Sequence, residues 1–231
     1  MLFRSGRTHA VILMVETGDL REGADPAEVP YLVKKIIDLP HINLVGLGTN
    51  VACLEGVPPT PERLEILTGL KDEIEAKLGI RLAVISGGNS SAWKLIEGSE
   101  IPFKINQVRF GEAILLGRET VKGDPISGAF QDAFTLYAEV IEVKIVGAQF
   151  IAPNGRRQAI AALGRQDIDP EGLLPRNKGI KIVKASSDHL VLDTSGLDHP
   201  LGVGEIIAFD LNYQALLRAM TSPFVRAIIR A

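Results

Sequence analysis

Four apolar runs, each ending in a polar loop, constrain this chain more than any other feature. Val11 to Val15, Ile42 to Leu47 and Leu82 to Ile85 are predominantly hydrophobic, and Ile105 to Val108, in which Ile105 and Val108 flank Asn106-Gln107, is read as the fourth, short run. A continuous apolar run marks a strand buried on both faces, as in a parallel sheet covered by helices. The loops that follow contain Glu16-Thr17-Gly18, Gly48-Thr49-Asn50, Ser86-Gly87-Gly88-Asn89-Ser90-Ser91 and Arg109-Phe110-Gly111. Helical patterns lie between the runs. Pro26 to Leu39 spaces Val29, Leu32, Val33, Ile36 and Ile37 along one face, with Asp25 as N-cap and Pro26 in the first turn. Thr60-Pro61-Glu62 opens a second helix to Leu78, which Gly79 closes. The alternation predicts parallel βα units, with the functional loops at the C-terminal strand ends.

The pattern changes after Gly117. Phe134 to Ile145 alternates apolar and polar residues, and shorter strands are expected at Gln158–Leu163, Ile180–Lys184, Leu190–Leu192 and Ile206–Leu211. Turn clusters such as Pro153-Asn154-Gly155 and Thr194-Ser195-Gly196 separate them. This half reads as an antiparallel β-domain. About four βα units precede it, whereas a closed (β/α)8 barrel has eight. The expected fold is therefore α/β plus β: the second half of a TIM-type barrel over residues 1–125, then a C-terminal β-domain over 126–231. Met1 is expected to be a start within a larger fold.

Composition narrows the function classes. The net charge of −3, with no basic block, gives no electrostatic case for nucleic acid or an anionic membrane. No apolar run approaches the length of a membrane span, and Glu16 and Asp19 cut short the apolar stretch that begins at Ala10. A single cysteine, Cys53, rules out an internal disulfide and fits a cytoplasmic setting. Cys53 is read as a small buried hydrophobe, and Trp93 as core. His9, His41 and His199 flank turns with no ligand spacing, so no metal is expected.

The stretch Arg109-Phe110-Gly111-Glu112-Ala113 places an arginine at a strand end and a glycine before a helical run. A phosphorylated planar cofactor needs such a cation and such N–H groups. Taken alone, the same residues also suit an ordinary sheet end and turn.

The ordered set of loops is more specific. Glu16-Thr17-Gly18-x-x-Arg21-x-Gly23, Gly48-Thr49-Asn50-x-Ala52-Cys53, Ser86-Gly87-Gly88-Asn89-Ser90-Ser91 and Arg109-x-Gly111-x-Ala113-x-x-x-Gly117 occur in sequence. Ala185-Ser186-Ser187-Asp188-His189, then Asn212-Tyr213-x-Ala215-Leu216 and Met220-Thr221-Ser222-Pro223, follow. Together they resemble the pyridoxal-phosphate amino-acid racemases of the alanine racemase type, fold type III, nearest the ornithine racemase branch. The likeness covers nearly the whole chain but only the family's C-terminal two-thirds.

The resemblance implies pyridoxal 5'-phosphate as cofactor, an amino acid as substrate (ornithine or another basic one) and a homodimer. It places Ser90, with Gly88 and Asn89, at the phosphate, and Gly111 and Glu112 on the other half of that cradle. Ser222 is a further cofactor-contact candidate from the last motif. Arg109 falls against the pyridine nitrogen; an arginine cannot take the ring proton, which keeps the ring a weaker electron sink and favours racemase over decarboxylase. Asn50 falls where many alanine racemases have a histidine, and its amide can hold Arg109 only through its carbonyl oxygen. Arg21 matches an arginine near the cofactor hydroxyl and substrate carboxylate. Asp188 matches an aspartate that contributes to the active site of the partner subunit.

Three departures qualify the likeness. The lysine that anchors the cofactor belongs to the family's first barrel strand, and the lysines here (Lys34, Lys71 and Lys77 among them) fall on helices or outer loops. The chain alone is thus expected to be inactive, with the missing half on another segment or chain. Arg165 stands where the family has a catalytic tyrosine, leaving Asp167, Tyr213 and His189 as unranked substitutes for the second base. Met14 stands where several alanine racemases have a lysine that supports the arginine, so Arg21 is expected to be held differently. The alternatives are a decarboxylase of the same barrel type and a non-catalytic cofactor-binding or interaction subunit.

Overall fold

The computed structural model describes residues 6–52, 57–147 and 155–229. Cys53 and the Pro153-Asn154 part of the expected turn lie outside them. The chain divides into two compact units, Met1–Ala129 and Phe130–Ala231.

The first unit is built on three parallel strands in the order β1 (His9–Met14), β2 (Ile42–Thr49) and β3 (Val84–Gly87). In the central strand β2, five of the last six residues are buried, the burial on both faces that its continuous apolar run predicts. Met14, Gly48 and Ser86 lie side by side in register, so the strands end together. Two longer helices cover the sheet, α1 (Val29–Ile37) and α2 (Pro61–Leu78). Val29, Val33, Leu67, Leu70 and Ile74 pack with Leu44, Leu47 and Ile85 into one core. The caps of α2 are as expected: Thr60 Oγ1 accepts from Arg63 N, and Gly79 closes the helix in the left-handed conformation. Two one-turn helices, α3 (Trp93–Glu97) and α4 (Glu112–Leu116), complete the unit.

Two expectations are corrected here. Helix α1 begins at Val29, not Pro26. Pro30 has no N–H to bond back to the Pro26 carbonyl, so residues 26–28 form a turn in which Asp25 Oδ1 accepts from Ala27 N at 2.8 Å. Ile105 to Val108 is not a strand; only Gln107 forms a bridge, to Ser86. The Asn106 side chain takes over part of the ladder, accepting from Ile85 N at 2.9 Å and donating to Ala83 O at 2.7 Å. The segment still runs beside β3, with Gly87 N bonded to Gln107 O and Arg109 N to Gly88 O.

The second unit is a six-stranded antiparallel sheet, order β6-β9-β4-β5-β8-β7. Its strands are β4 (Leu136–Val146), β5 (Arg156–Ala161), β6 (Leu173–Pro175), β7 (Lys181–Ala185), β8 (Leu190–Asp193) and β9 (Ile206–Leu211). Strand β4 alternates buried Leu136, Ala138 and Val140 with exposed Tyr137, Glu139 and Ile141. The register slips between Val140 and Glu142, where β4 passes from its pairing with β9 to that with β5. Phe209, Leu190, Leu192, Ala159 and Ala161 are fully buried at the centre. Helix α5 (Tyr213–Thr221), capped by Asn212 Oδ1 on Ala215 N at 2.9 Å, lays Ala215 and Ala219 onto this core. The short strand β6 has no alternating signal, and reasoning from pattern missed it. Among the described residues no helix is long and apolar enough to cross a membrane.

Candidate functional site

The three strands of the first unit deliver their C-terminal loops to one end of the sheet, and Arg109 reaches across them. Its Nη2 donates to Thr49 O at 2.7 Å and to Asn50 Oδ1 at 2.5 Å. Its Nη1 lies 3.8 Å from Met14 Sδ. The guanidinium is thus held by the ends of β1 and β2 while its backbone belongs to the segment beside β3. Met14 thus bears on Arg109. Arg21 pairs with Glu22 and lies 3.6 Å from the buried Asp19. Glu22 also accepts from Asn50 Nδ2. Arg21 and Asn50 both draw its carboxyl below the ordinary glutamate range, Arg21 the more strongly. Beneath this layer the buried hydroxyls of Thr17 and Thr49 bond to each other at 2.6 Å. Arg63 of α2 donates to Thr17 O at 2.6 Å.

A second cluster joins the β3 loop to α4. The Ser90 hydroxyl, 4% exposed, accepts from the backbone of Gly111 and of Ala113, each at 3.2 Å. Asn89 shapes the loop: its Oδ1 accepts from Ser91 N at 2.9 Å and its Nδ2 donates to Val51 O at 3.0 Å. Gly88 joins by its carbonyl, which accepts from Arg109 N at 3.0 Å. Two backbone amides therefore position one hydroxyl, which keeps its own O–H to donate, and such a donor suits an anion. Glu112 is the acidic neighbour. Burial, and then the negative charge of Glu119, push its carboxyl above the ordinary range.

The remaining expected residues lie in the second unit. The loop 164–167 zips onto the loop 186–189, with Arg165 N bonded to Ser186 O and Gln166 N to Ser187 O, each at 2.9 Å. Gly164 permits this approach, since a Cβ there would stand 2.2 Å from Asp188 N. Asp167 is buried, and its Oδ1 accepts from Ser222 Oγ at 2.8 Å. Two residues assigned to separate roles, base and cofactor contact, are thus partners. Asp188 is exposed and bonds His189 Nδ1 at 2.8 Å, which lowers its pKa. Arg165 is engaged by Glu171 at 2.6 Å. Tyr213 opens helix α5, half-buried. A cavity of about 660 Å3 is lined by Arg165, Gln166, Asp169, Gln214, Arg218 and Ser222 among others.

The structure therefore groups Arg109, Asn50 and Arg21, and separately Ser90, Asn89, Gly88, Gly111 and Glu112. Sequence reasoning missed Glu22, which joins Arg21 to Asn50, and the Thr49 carbonyl that Arg109 uses. Neither carries a local signal: 28 residues separate Glu22 from Asn50.

Comparison with known proteins fits this geometry. The family described as "Alanine racemase, N-terminal domain" matches residues 2–119. The chain is 40% identical to lysine racemase of Thermotoga maritima, over 96% of this chain and 66% of that protein. It is 38% identical to ornithine racemase of Acetoanaerobium sticklandii, over 95% of this chain and 67% of that one. It thus spans about two thirds of the length of these relatives. Among solved structures, alanine racemase from Corynebacterium glutamicum superposes with a TM-score of 0.62 at 20% identity, covering 88% of this chain and 57% of the other. D-threonine aldolase from Filomicrobium marinum gives 0.63 at 19%, covering 91% and 57%. At such identities these two show the fold, a partial (β/α)8 barrel followed by a β-domain. Matched over half its length by the family profile and over nearly all of it by two racemases, this chain belongs to the alanine racemase family.

Proposed function

We propose that this chain carries the phosphate and ring-nitrogen ends of a pyridoxal 5'-phosphate site in a racemase of basic amino acids, lysine or ornithine. The observation that carries the reading is Arg109, held at the strand ends by Asn50 Oδ1 and Thr49 O. When bound, the cofactor withdraws electrons from the substrate α-carbon, which makes its proton removable. An arginine facing the ring nitrogen donates a hydrogen bond and keeps its own proton, so it moderates that withdrawal where a carboxylate would strengthen it. Moderate withdrawal suits proton exchange at one carbon without further bond breaking.

The residues present fit the group. Ser90, positioned by the amides of Gly111 and Ala113, offers its O–H to an anion at one end, and Arg109 offers a planar cation at the other. Arg21 offers a guanidinium for the substrate carboxylate. In a homodimer the loops of Arg165 and Asp188 would close the site of a second copy. The anchoring lysine comes from outside these 231 residues. In the first unit Lys34 and Lys35 lie on α1, Lys71 and Lys77 on α2, and Lys94 on α3, while Lys104 pairs with Asp72 and Lys122 is exposed in the loop after α4.

Borohydride reduction after incubation with pyridoxal phosphate, read by intact mass, tests the reading together with α-proton exchange of L-lysine and L-ornithine in D2O. The chain alone should bind the cofactor without a covalent adduct and exchange no α-proton. Co-expression with the remaining third of a lysine racemase should restore both. One stoichiometric adduct on a lysine of this chain would overturn the assignment of that lysine, and failure to bind the cofactor would overturn the site.

A further inference from the structure

Glu22 lies on the loop between β1 and α1, at an unspecified position of the motif that runs from Glu16 to Gly23. Its carboxylate makes two attachments. It accepts from Arg21 through Nε, and through Nη2 at 3.1 Å, and its Oε1 accepts from Asn50 Nδ2. The other end of that amide, Asn50 Oδ1, accepts from Arg109 Nη2 at 2.5 Å.

An asparagine amide has two nearly isosteric ends, one that only accepts and one that only donates. Arg109 has only donors, so the oxygen end must face it. The nitrogen end is then turned away and needs an acceptor. Glu22 supplies one, and an ionised one, which strengthens the bond. If the amide turned over, its NH2 would meet the guanidinium donor to donor and the carbonyl would meet the carboxylate acceptor to acceptor. Both contacts would be lost at once.

The backbone that presents Glu22 is fixed. Ala24 N bonds to Met14 O and Glu16 N to Ala24 O, each at 2.9 Å, which pins the far end of the loop to β1. Gly23 sits at φ +130, and a Cβ there would stand 2.6 Å from Glu16 N. A tightly seated loop with an exposed carboxylate at its tip is a support for other side chains. The hydrogen bond from Arg21, and with it that from Asn50, holds this carboxyl below the ordinary glutamate range.

We propose that Glu22 is a positioning residue: its carboxylate fixes which way the Asn50 amide faces, and so where the Arg109 guanidinium stands, while holding Arg21 by the same group. The functional weight of this rests on the reading of Arg109 as the partner of the ring nitrogen.

Side-chain NMR of the whole chain without cofactor tests the arrangement itself. Signals of the Asn50 amide and the Arg109 guanidinium are assigned by their loss in Asn50→Ala and Arg109→Lys. They are then compared in Glu22→Gln, which keeps a carbonyl acceptor, and Glu22→Leu, which keeps bulk and offers none. Glu22→Gln should leave both signals in place. Glu22→Leu should shift the Asn50 pair and speed exchange of the Arg109 protons about tenfold, the loss of one charge-assisted bond, with no change in melting temperature. Unchanged signals in Glu22→Leu would overturn the proposal. So would equal loss in both variants, since the charge and not the amide's orientation would then be acting. Pyridoxal phosphate titration should follow the same order, weaker by about tenfold in Glu22→Leu alone. If the unmodified chain takes up no cofactor, the proposed function fails and the NMR result on Glu22 is unaffected.

Discussion

Replacing Glu119 should cost the first unit more stability than any other single polar change outside its site. Glu119 is 1% exposed and stands just after α4. Its carboxylate accepts from Val121 N at 2.9 Å, Lys122 N at 2.7 Å and Asp124 N at 3.0 Å, closing the loop on itself. Hydrogen bonds to a charged group each contribute about 1.5–3 kcal/mol. The amides of Lys122 and Asp124 lie on exposed residues, so water replaces part of the loss and the low end applies. Glu119→Ala should therefore cost about 4–5 kcal/mol, taking three bonds at the lower figure with little relaxation. Glu119→Gln should cost about 2–3 kcal/mol, because its NH2 end opposes one amide donor to donor and its oxygen is uncharged. The pH dependence supplies the second test. Burial alone would raise this carboxyl; the three amides outweigh it, and the net effect is a lowered pKa. A lowered native pKa gives stability that is present above the unfolded glutamate value and lost as pH falls through the native one. Wild type and Glu119→Gln should thus differ most at neutral pH and converge in acid. Urea unfolding at pH 7 and at pH 3.5, followed by circular dichroism, measures both. A loss below about 1 kcal/mol at pH 7, or a gap that persists unchanged into acid, would refute the reasoning.

Two further outcomes follow from the second unit. Phe209 is fully buried at the centre of the sheet, and Phe209→Ala should cost about 3–5 kcal/mol, read as a lower urea midpoint for this unit. Arg165, with a smaller contribution from Asp169, holds the carboxyl of Glu171 down to about 2, so Arg165→Leu should raise Glu171 toward the ordinary glutamate range in a 13C NMR titration while the melting temperature stays put, because both groups are exposed.

The fold was legible where one signal dominated. Helix α2 was fixed at both ends by Thr60-Pro61 and Gly79, two caps whose geometry is local. Strand β9 was bounded by its own apolar run and the Asn212 cap. Legibility failed where a side chain replaced backbone pairing. Ile105 and Val108 bracket Asn106 and Gln107 as in a short strand, yet the exposed Asn106 makes with its side chain two of the bonds that a partner strand would make. Composition counts Asn106 as a polar interruption; only the neighbouring strand shows it as a substitute for the ladder. Pro30 is a similar case, since a periodic pattern from Pro26 onward hides that one missing N–H delays the helix.

The site follows the same division, and that division points to how it is built. Arg109, Ser90 and Gly111 were legible because each sits in a short motif whose neighbours share its task. The residues that hold them were not, because they are held from another loop: Asn50 by Glu22, Arg109 by Thr49 and Met14, Asp167 by Ser222. In the first unit such pairs are set by the register of parallel strands, which places Met14 beside Gly48 and Gly48 beside Ser86 although 34 and 38 positions separate them in the chain. Motif residues meet a ligand of fixed shape, so their spacing is tightly constrained. Supporting residues need only reach a neighbouring strand end with the right donor or acceptor, and a glutamate, a backbone carbonyl or a thioether will do. The carboxylate of Glu22 anchors Arg21 directly and reaches Arg109 only through the Asn50 amide, so one acid on one loop bears on both arginines.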